Sequence, residues 1–167
     1  MLMPRSTESS TSRRVRKISD MEIKRMTAKH ICEVSELEEL CFSSPWSKKS
    51  LEMLTEDGGV GVVVTENGRV AAYGGMLTVL DEGQITNIAV HPNFRRRGYG
   101  RAVTKALSDF GKQRGLSAIY LEVRRGNLAA QGLYLSCGYA EIGERKGFYS
   151  HPTEDAILMK INLQEEE

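Results

Sequence analysis

A chain of 167 residues with a hydrophobic content of 40% is long enough to form one domain around a single core. The net charge of +1 divides into +3 for residues 1–20 and −2 for the rest, so the body carries no basic excess that would indicate a nucleic-acid ligand. No apolar run approaches the roughly 20 residues that span a bilayer.

Cysteines and histidines argue against two further classes of site. The three cysteines lack C-x-x-C spacing, which is unlike a disulfide framework or a zinc ribbon and favours a reducing, cytoplasmic compartment. The three histidines are far apart in sequence, and we therefore expect no metal site.

The two ends of the chain differ in composition from the body. Residues 1–20 are rich in Ser, Thr and Arg and almost devoid of core-forming side chains. We expect them to be a disordered extension, a stretch upstream of a true start at Met21, or cloning residue. We expect one domain over residues 21–163, followed by an acidic tail over residues 164–167.

The first half of the body predicts one strand, two helices and three more strands. Thr27 and Ser47 can each cap a helix, and Asn67-Gly68 between two apolar runs is typical of a tight hairpin. The predicted strands cover residues 21–26, 60–65, 70–79 and 84–90, and the predicted helices follow Thr27 and Ser47 and end near residues 41 and 54.

The second half alternates helices with strands. A helix over residues 101–112 has apolar side chains on one face and Gly115 beyond its end, which suits a C-terminal cap. The nearly all-apolar run 119–123 predicts a strand that is buried on both faces and paired in parallel. A helix over 128–136 and strands over 139–144 and 156–161 complete the order, with a loop over 146–155. The prediction is an α/β (α+β) domain in which about four helices flank a mixed sheet of six to seven strands.

The most informative segment lies between the strand that ends at Val90 and the following helix. Arg95, Arg96, Arg97, Gly98, Tyr99, Gly100 and Arg101 bring four arginines and two glycines to a helix N-terminus. Backbone N–H groups at such a terminus are unpaired and lie at the positive end of the helix dipole, so they favour phosphate. The segment has neither the Lys-Ser/Thr of a Walker loop nor the third glycine of a dinucleotide fingerprint.

The pattern R-x-x-G-x-G, formed by Arg95, Gly98 and Gly100, resembles the pyrophosphate loop of the GNAT acetyltransferases. The resemblance implies a GNAT fold and acetyl-CoA as cosubstrate, with no metal. It also implies that the strand Ile88, Ala89, Val90 meets the pantetheine and acetyl groups and that Asn127 contacts the cofactor. The set Pro45-Trp46-Ser47, Leu121 to Arg124, Asn127, Leu133-Tyr134 and Glu154-Asp155-Ala156 is similar to the RimI-type branch, which acetylates the N-terminal alanine of a small-subunit ribosomal protein.

By the same resemblance, Glu122 is the general base, acting through water, and Tyr134 is the general acid at the CoA sulfur. The acceptor peptide is expected between Phe42 and Trp46 on one side and Tyr149 on the other. Many relatives of this branch have two adjacent tyrosines where this chain has Phe148-Tyr149, so one hydroxyl is absent.

Three alternatives stay open at this stage. The first keeps the fold and changes the acceptor to a lysine side chain or a small-molecule amine. The second is a non-catalytic CoA-binding or ribosome-associated module, which would have no need of both Glu122 and Tyr134. The third is nucleic-acid binding, which rests only on the basic tail and the arginines near residue 95.

Overall fold

The computed structural model describes residues 21–165, which form one seven-stranded sheet with helices on both faces. The tail over residues 1–20 and the last two residues of the acidic tail, 166–167, lie outside the described residues. The strand order in the sheet is β1-β2-β3-β4-β5-β7-β6. The strands are β1 (Met21–Arg25), β2 (Gly59–Glu66), β3 (Arg69–Val79), β4 (Glu82–Val90), β5 (Ala118–Arg124), β6 (Ala140–Tyr149) and β7 (Glu154–Asn162), and the helices are α1 (Ile31–Cys41), α2 (Lys48–Glu52), α3 (Tyr99–Gln113) and α4 (Leu128–Ser136).

The first four strands form an antiparallel meander, as predicted. Asn67 and Gly68 join β2 to β3 with φ angles of 52° and 77°. Two consecutive positive φ angles are what a two-residue hairpin turn requires, and Asn and Gly adopt them with the least strain. This local signal therefore sets the register of the β2–β3 pair.

The prediction for β5 was half right. It pairs in parallel with β4, but its other neighbour, β7, is antiparallel. Only one face is fully buried, because Tyr120, Glu122 and Arg124 alternate with buried residues and remain partly exposed. The last strand returns as a hairpin and inserts between β5 and β6, so the crossover through α4 does not create a second parallel pair.

The predicted loop over residues 146–155 was wrong, because the final hairpin is longer. β6 continues to Tyr149 and β7 begins at Glu154, which leaves a short connection between them. The pairing of β6 with β7 shifts register between Arg145 and Tyr149. Within that irregular stretch the Gly147 N–H donates to Asp155 Oδ1 at 2.8 Å. Gly147 has a positive φ of 62°, which a glycine adopts without strain, and this accommodates the irregular stretch within the hairpin.

Two apolar clusters lie on opposite faces of the sheet. The larger lies under α3 and α4, and the smaller lies under α1 and α2. A Cβ at Gly74 of β3 would overlap Val103 of α3, so the glycine allows this helix to pack directly on the sheet. Within residues 21–165, no helix is both long and apolar enough to cross a membrane.

Candidate active site

The central feature of the site is a fork between two adjacent strands. β4 and β5 pair only where Glu82, Gly83 and Gln84 face Ala118, Ile119 and Tyr120. Beyond these three pairs the strands diverge, and within residues 21–165 the end of β4 has no strand partner on the β5 side. Unpaired N–H and C=O groups inside a domain need another partner, so this edge is suited to a ligand with amide groups of its own.

A bulge lies at the same level in β4. Gly74 of β3 pairs with Ile88, whereas Met76 pairs with Ile85, so Thr86 and Asn87 both lie opposite Gly75. A bulge of this kind redirects side chains and disrupts the ladder locally. It separates the paired start of β4 from the segment Ile88–Val90 that the sequence places at the acetyl group.

The arginine loop, defined here as residues 95–98, joins β4 to α3. Arg96 and Gly98 have φ angles of 62° and 82°, and Gly98 occupies the N-cap of α3. The first helical bond runs from the Ala102 N–H to the Gly98 carbonyl at 3.0 Å. The N–H groups of the preceding turn have no partner within the helix, and this is the geometry that binds phosphate.

Three of the arginine side chains contact the protein itself. Arg95 Nε donates to the Val90 carbonyl at 3.2 Å, and Arg97 lies 3.6 Å from the Glu66 carboxylate. Arg101 donates to Ser136 Oγ at 3.0 Å. They hold the loop in place, so the backbone is the principal phosphate ligand that the geometry offers.

Tyr99 and Gly100 both face inward. The Tyr99 hydroxyl donates to Glu66 at 2.5 Å and its ring stacks on Phe94, so only the Tyr99 backbone is available to a ligand. A Cβ at Gly100 would approach Leu133 Cδ2 to 3.2 Å. The second glycine of the motif therefore allows α3 to approach α4.

Glu122 lies on β5 just beyond the point where the fork opens. Its side chain is 15% exposed. One carboxylate oxygen accepts from Gln84 Nε2 at 2.7 Å, and the other lies 3.5 Å from Arg145 Nε. Gln84 thus bridges the two strands at the fork and, with Arg145, holds the carboxylate in place.

Tyr134 of α4 is 8% exposed, and burial is the main cause that raises its pKa above the ordinary tyrosine range. Tyr149 contributes to that shift as a neighbouring group. Burial, and next the charge of Glu122, raise the pKa of Tyr149 to about 12. The three side chains Glu122, Tyr149 and Tyr134 therefore share one electrostatic environment beside the gap.

The aromatic side chains predicted for the acceptor lie on the two sides of the fork. Phe42 and Trp46 belong to the acceptor loop, defined here as residues 42–47 between α1 and α2, and pack against the smaller apolar cluster. Tyr149 lies at the end of β6 under the Arg124 guanidinium, 4.4 Å from its ring centroid, and its ring packs edge-on against Phe148. The structure therefore places the two predicted groups on different elements, one between α1 and α2 and the other at the end of β6.

Most of the described part of the chain matches a known family. Residues 31–139 match the model of the acetyltransferase (GNAT) family. The chain belongs to the GNAT acetyltransferase family. Acetyl-CoA is the cosubstrate of these enzymes, and the open edge of β4 and the N-terminus of α3 fit its pantetheine amides and its pyrophosphate.

Individual relatives cover most of the chain. Ribosomal protein bS18-alanine N-acetyltransferase of Escherichia coli strain K12 is 37% identical over 131 residues, which are 76% of this chain and 87% of that protein. The protein of the same name from Salmonella typhimurium strain LT2 is 38% identical over 132 residues, which are 77% of this chain and 88% of the relative. The crystal structure of the ribosomal-protein-S18-alanine N-acetyltransferase from Escherichia coli superimposes with a TM-score of 0.81 at 32% identity, and the match covers 88% of this chain and 96% of that one.

Asn127 caps the last helix of this GNAT site. Its side-chain oxygen accepts from the Ala130 N–H at 3.1 Å, as predicted for a capping residue. With the oxygen engaged, the amide NH₂ is the group left to contact a cofactor. Gln131 reinforces the same turn by donating to the carbonyls of Arg124 and Arg125.

Several residues that shape the site were not identified from sequence. Arg124 donates to the Pro152 and Ser150 carbonyls and to the Glu154 carboxylate, and so ties β5 to the final hairpin. Gln84 and Arg145 hold Glu122, and neither stands in a recognisable motif. Glu38 is the one with a visible signal, because it is a carboxylate at the helical spacing of the buried face of α1.

Replacing Gly98 with alanine should weaken acetyl-CoA binding. An L-residue at a φ of 82° is strained by about 1 kcal/mol, so we expect a similar loss of unfolding free energy. Because Gly98 is the N-cap of α3, relief of this strain by a backbone shift also moves the N–H groups that face the phosphate, and we expect a roughly fivefold higher acetyl-CoA Kd. Titration calorimetry and urea unfolding measure the two quantities.

Gly115→Ala is the matched control, since Gly115 has a φ of 73° beyond the opposite end of the same helix. It should lower stability by a similar amount and leave the acetyl-CoA Kd unchanged. Equal effects of the two variants on the Kd would contradict a specific role of Gly98 in the phosphate loop.

Proposed function

We propose that the chain transfers the acetyl group of acetyl-CoA to the N-terminal alanine of a small-subunit ribosomal protein of the bS18 type. The observation that carries this proposal is the similarity at 37% identity, over 87% of its length, to an Escherichia coli protein that bears this activity in its name. A ribosomal-protein substrate and the three free cysteines of the described residues, 21–165, both favour a cytoplasmic location.

Cosubstrate binding is assigned to two parts of the chain. The backbone of residues 95–101 would take the pyrophosphate, and the open edge of Ile88, Ala89 and Val90 would pair with the pantetheine amides. The cosubstrate supplies an acetyl thioester at the fork. The residues of the chain then have to bring a neutral amine to it and return a proton to the sulfur.

We assign the role of general base to Glu122. In the reaction the amine nitrogen bonds to the thioester carbonyl carbon, the C–S bond breaks, and the ammonium proton leaves through water to the Glu122 carboxylate. The hydrogen bond from Gln84 at 2.7 Å supports this role, because it holds the carboxylate in place at the fork between the strands.

We assign the role of general acid to Tyr134. A buried tyrosine keeps its proton at neutral pH and can donate it to the sulfur as the C–S bond breaks. The tyrosinate then regains a proton, through water, from the protonated Glu122, so that both side chains return to their starting states. Tyr149, beside both groups, is proposed as an acceptor-binding residue.

The pKa of the acceptor supports an α-amine. An N-terminal amine has a pKa of about 7.7–8.0 and a lysine amine about 10.4, so deprotonation at neutral pH is easier for the former by several kcal/mol. A single carboxylate base is sufficient for the smaller free-energy cost of deprotonating an α-amine. Phe42, Trp46 and Tyr149 are proposed to grip the extended peptide, with Phe148 leaving one hydroxyl fewer than in many relatives of this branch.

Two peptides test the acceptor directly. One carries a free N-terminal alanine with the first residues of bS18, and the other is blocked at its N-terminus and contains one internal lysine. We expect turnover of acetyl-CoA only with the free alanine, measured as CoA release and confirmed by peptide mass. Turnover of the blocked peptide alone would move the acceptor to lysine, and turnover of neither would refute the peptide acceptor.

The proposed role of Glu122 predicts the effect of replacing it with glutamine, its amide. Glu122→Gln keeps the size of the side chain and removes the base, so kcat should fall by about a hundredfold while KM for both substrates stays the same. Glu144→Gln on β6 is the control, because Glu144 pairs with Arg125 outside the fork and should leave kcat unaltered. An undiminished kcat in Glu122→Gln would remove Glu122 from the mechanism.

The role of Tyr134 predicts a pH-independent defect. Tyr134→Phe should lower kcat by about a hundredfold. Because the raised pKa keeps the hydroxyl protonated from neutral to mildly alkaline pH, the ratio of variant to wild type should stay constant over that range. Tyr139→Phe is the control, since its ring centroid lies 6.0 Å from that of Tyr134 and we assign it no chemical role. A ratio that changes with pH in this range would contradict the assignment.

A further inference from the structure

A carboxylate without a catalytic role is completely buried in the middle of α1. Glu38 is 0% exposed and is among the largest fully buried side chains of the described residues. Removing a carboxylate from water is strongly unfavourable unless its oxygens accept hydrogen bonds. The partners of Glu38 therefore indicate what its burial achieves.

Three donors from three different elements converge on this carboxylate. One oxygen accepts from the backbone N–H of Trp46 at 3.0 Å. The other accepts from Asn87 Nδ2 at 2.8 Å and from the Tyr73 hydroxyl. Burial, and next the charge of Glu38, raise the pKa of Tyr73, so this hydroxyl remains a donor.

Two of these partners, Trp46 and Asn87, lie in the segments proposed to bind the two substrates. Trp46 lies in the acceptor loop and donates its backbone N–H to Glu38. Asn87 lies in the bulge of β4, directly before the Ile88–Val90 segment proposed for the acetyl group. Tyr73, in the middle of β3, holds the carboxylate between them from the rigid centre of the sheet.

We propose that Glu38 is a positioning residue that fixes the acceptor loop relative to the acetyl-binding segment of β4. Without it, the Trp46 N–H loses its acceptor, and the loop is released from the sheet while the fold around α1 remains. The inference rests on the proposed function, because it assigns the loop to the acceptor. It also predicts a change in loop structure that does not depend on which acceptor is used.

α1 offers a matched control. Glu33, five residues earlier on the same helix, accepts from the Val70 N–H at 2.9 Å and is part-buried. It joins the same helix to the start of β3, away from the acceptor loop. Glu33→Gln and Glu38→Gln therefore make the same chemical change on one helix, and only the second should affect the acceptor.

The experiment uses Trp46 as a built-in probe, because it is the only tryptophan of the chain. In Glu38→Gln the side chain keeps one acceptor oxygen instead of two, and its NH₂ group faces a donor. We expect this to release the acceptor loop, so that acrylamide quenches Trp46 fluorescence more readily than in the wild type. With the alanine peptide, KM should rise about tenfold, while KM for acetyl-CoA is unchanged. Glu33→Gln should lower the melting temperature and leave quenching and both KM values at wild-type levels.

Two results would overturn the inference. One is a folded Glu38→Gln that quenches and binds peptide as the wild type does, which would make Glu38 a core residue only. The other applies if Glu38→Gln fails to fold. Tyr73→Phe removes one donor to Glu38 without changing the packing, and it should then raise the quenching of Trp46 in the same direction by a smaller amount. Unchanged quenching in Tyr73→Phe would refute the proposed link between Glu38 and the acceptor loop. If the wild type acetylated neither peptide, the proposed function would fail, and quenching alone would decide the role of Glu38.

Discussion

The separation of β4 from β5 is the constraint on which the rest of the site depends. The two strands keep three backbone pairs and then diverge, so among residues 21–165 the edge of β4 that faces β5 lacks a strand partner beyond them, while β3 pairs with its other edge. A protein can keep such an edge only if a ligand or water satisfies it. In a GNAT acetyltransferase the ligand is acetyl-CoA, and the arginine loop, Glu122 and α4 are all placed relative to this gap.

Carboxylates close to the fork differ in their surroundings, and the surroundings separate their roles. Glu38 has no exposed surface and is enclosed by hydrogen-bond donors. Glu122 lies at the fork and remains partly open to it. Glu154 has its pKa lowered, first by the Gly126 N–H and next by Arg124, and it fastens the final hairpin to β5. The same chemical group is thus proposed to anchor a loop in Glu38 and to act as the base in Glu122, and in Glu154 it ties the final hairpin to β5.

The proposed binding tasks divide between the two faces of the sheet. The large apolar cluster supports α3 and α4, which present the phosphate-binding turn and Tyr134. The small cluster supports α1, α2 and the acceptor loop with Phe42 and Trp46. Glu38 belongs to α1 and accepts a hydrogen bond from Asn87 of β4. It is therefore a physical link between the proposed acceptor side and the strand proposed to bind the cosubstrate.

The sequence by itself determined what depends on neighbouring residues along the chain. The Asn67-Gly68 turn, the Ser47 and Asn127 caps and the glycine turn before α3 follow from backbone preferences over a few residues, and the R-x-x-G-x-G pattern carried the family. The tertiary structure alone decided what depends on distant partners. β7 inserts between β5 and β6, Gln84 and Arg145 meet Glu122, and Glu38 meets Trp46 and Asn87, because the packing of separate elements brings these groups together and no local spacing encodes it.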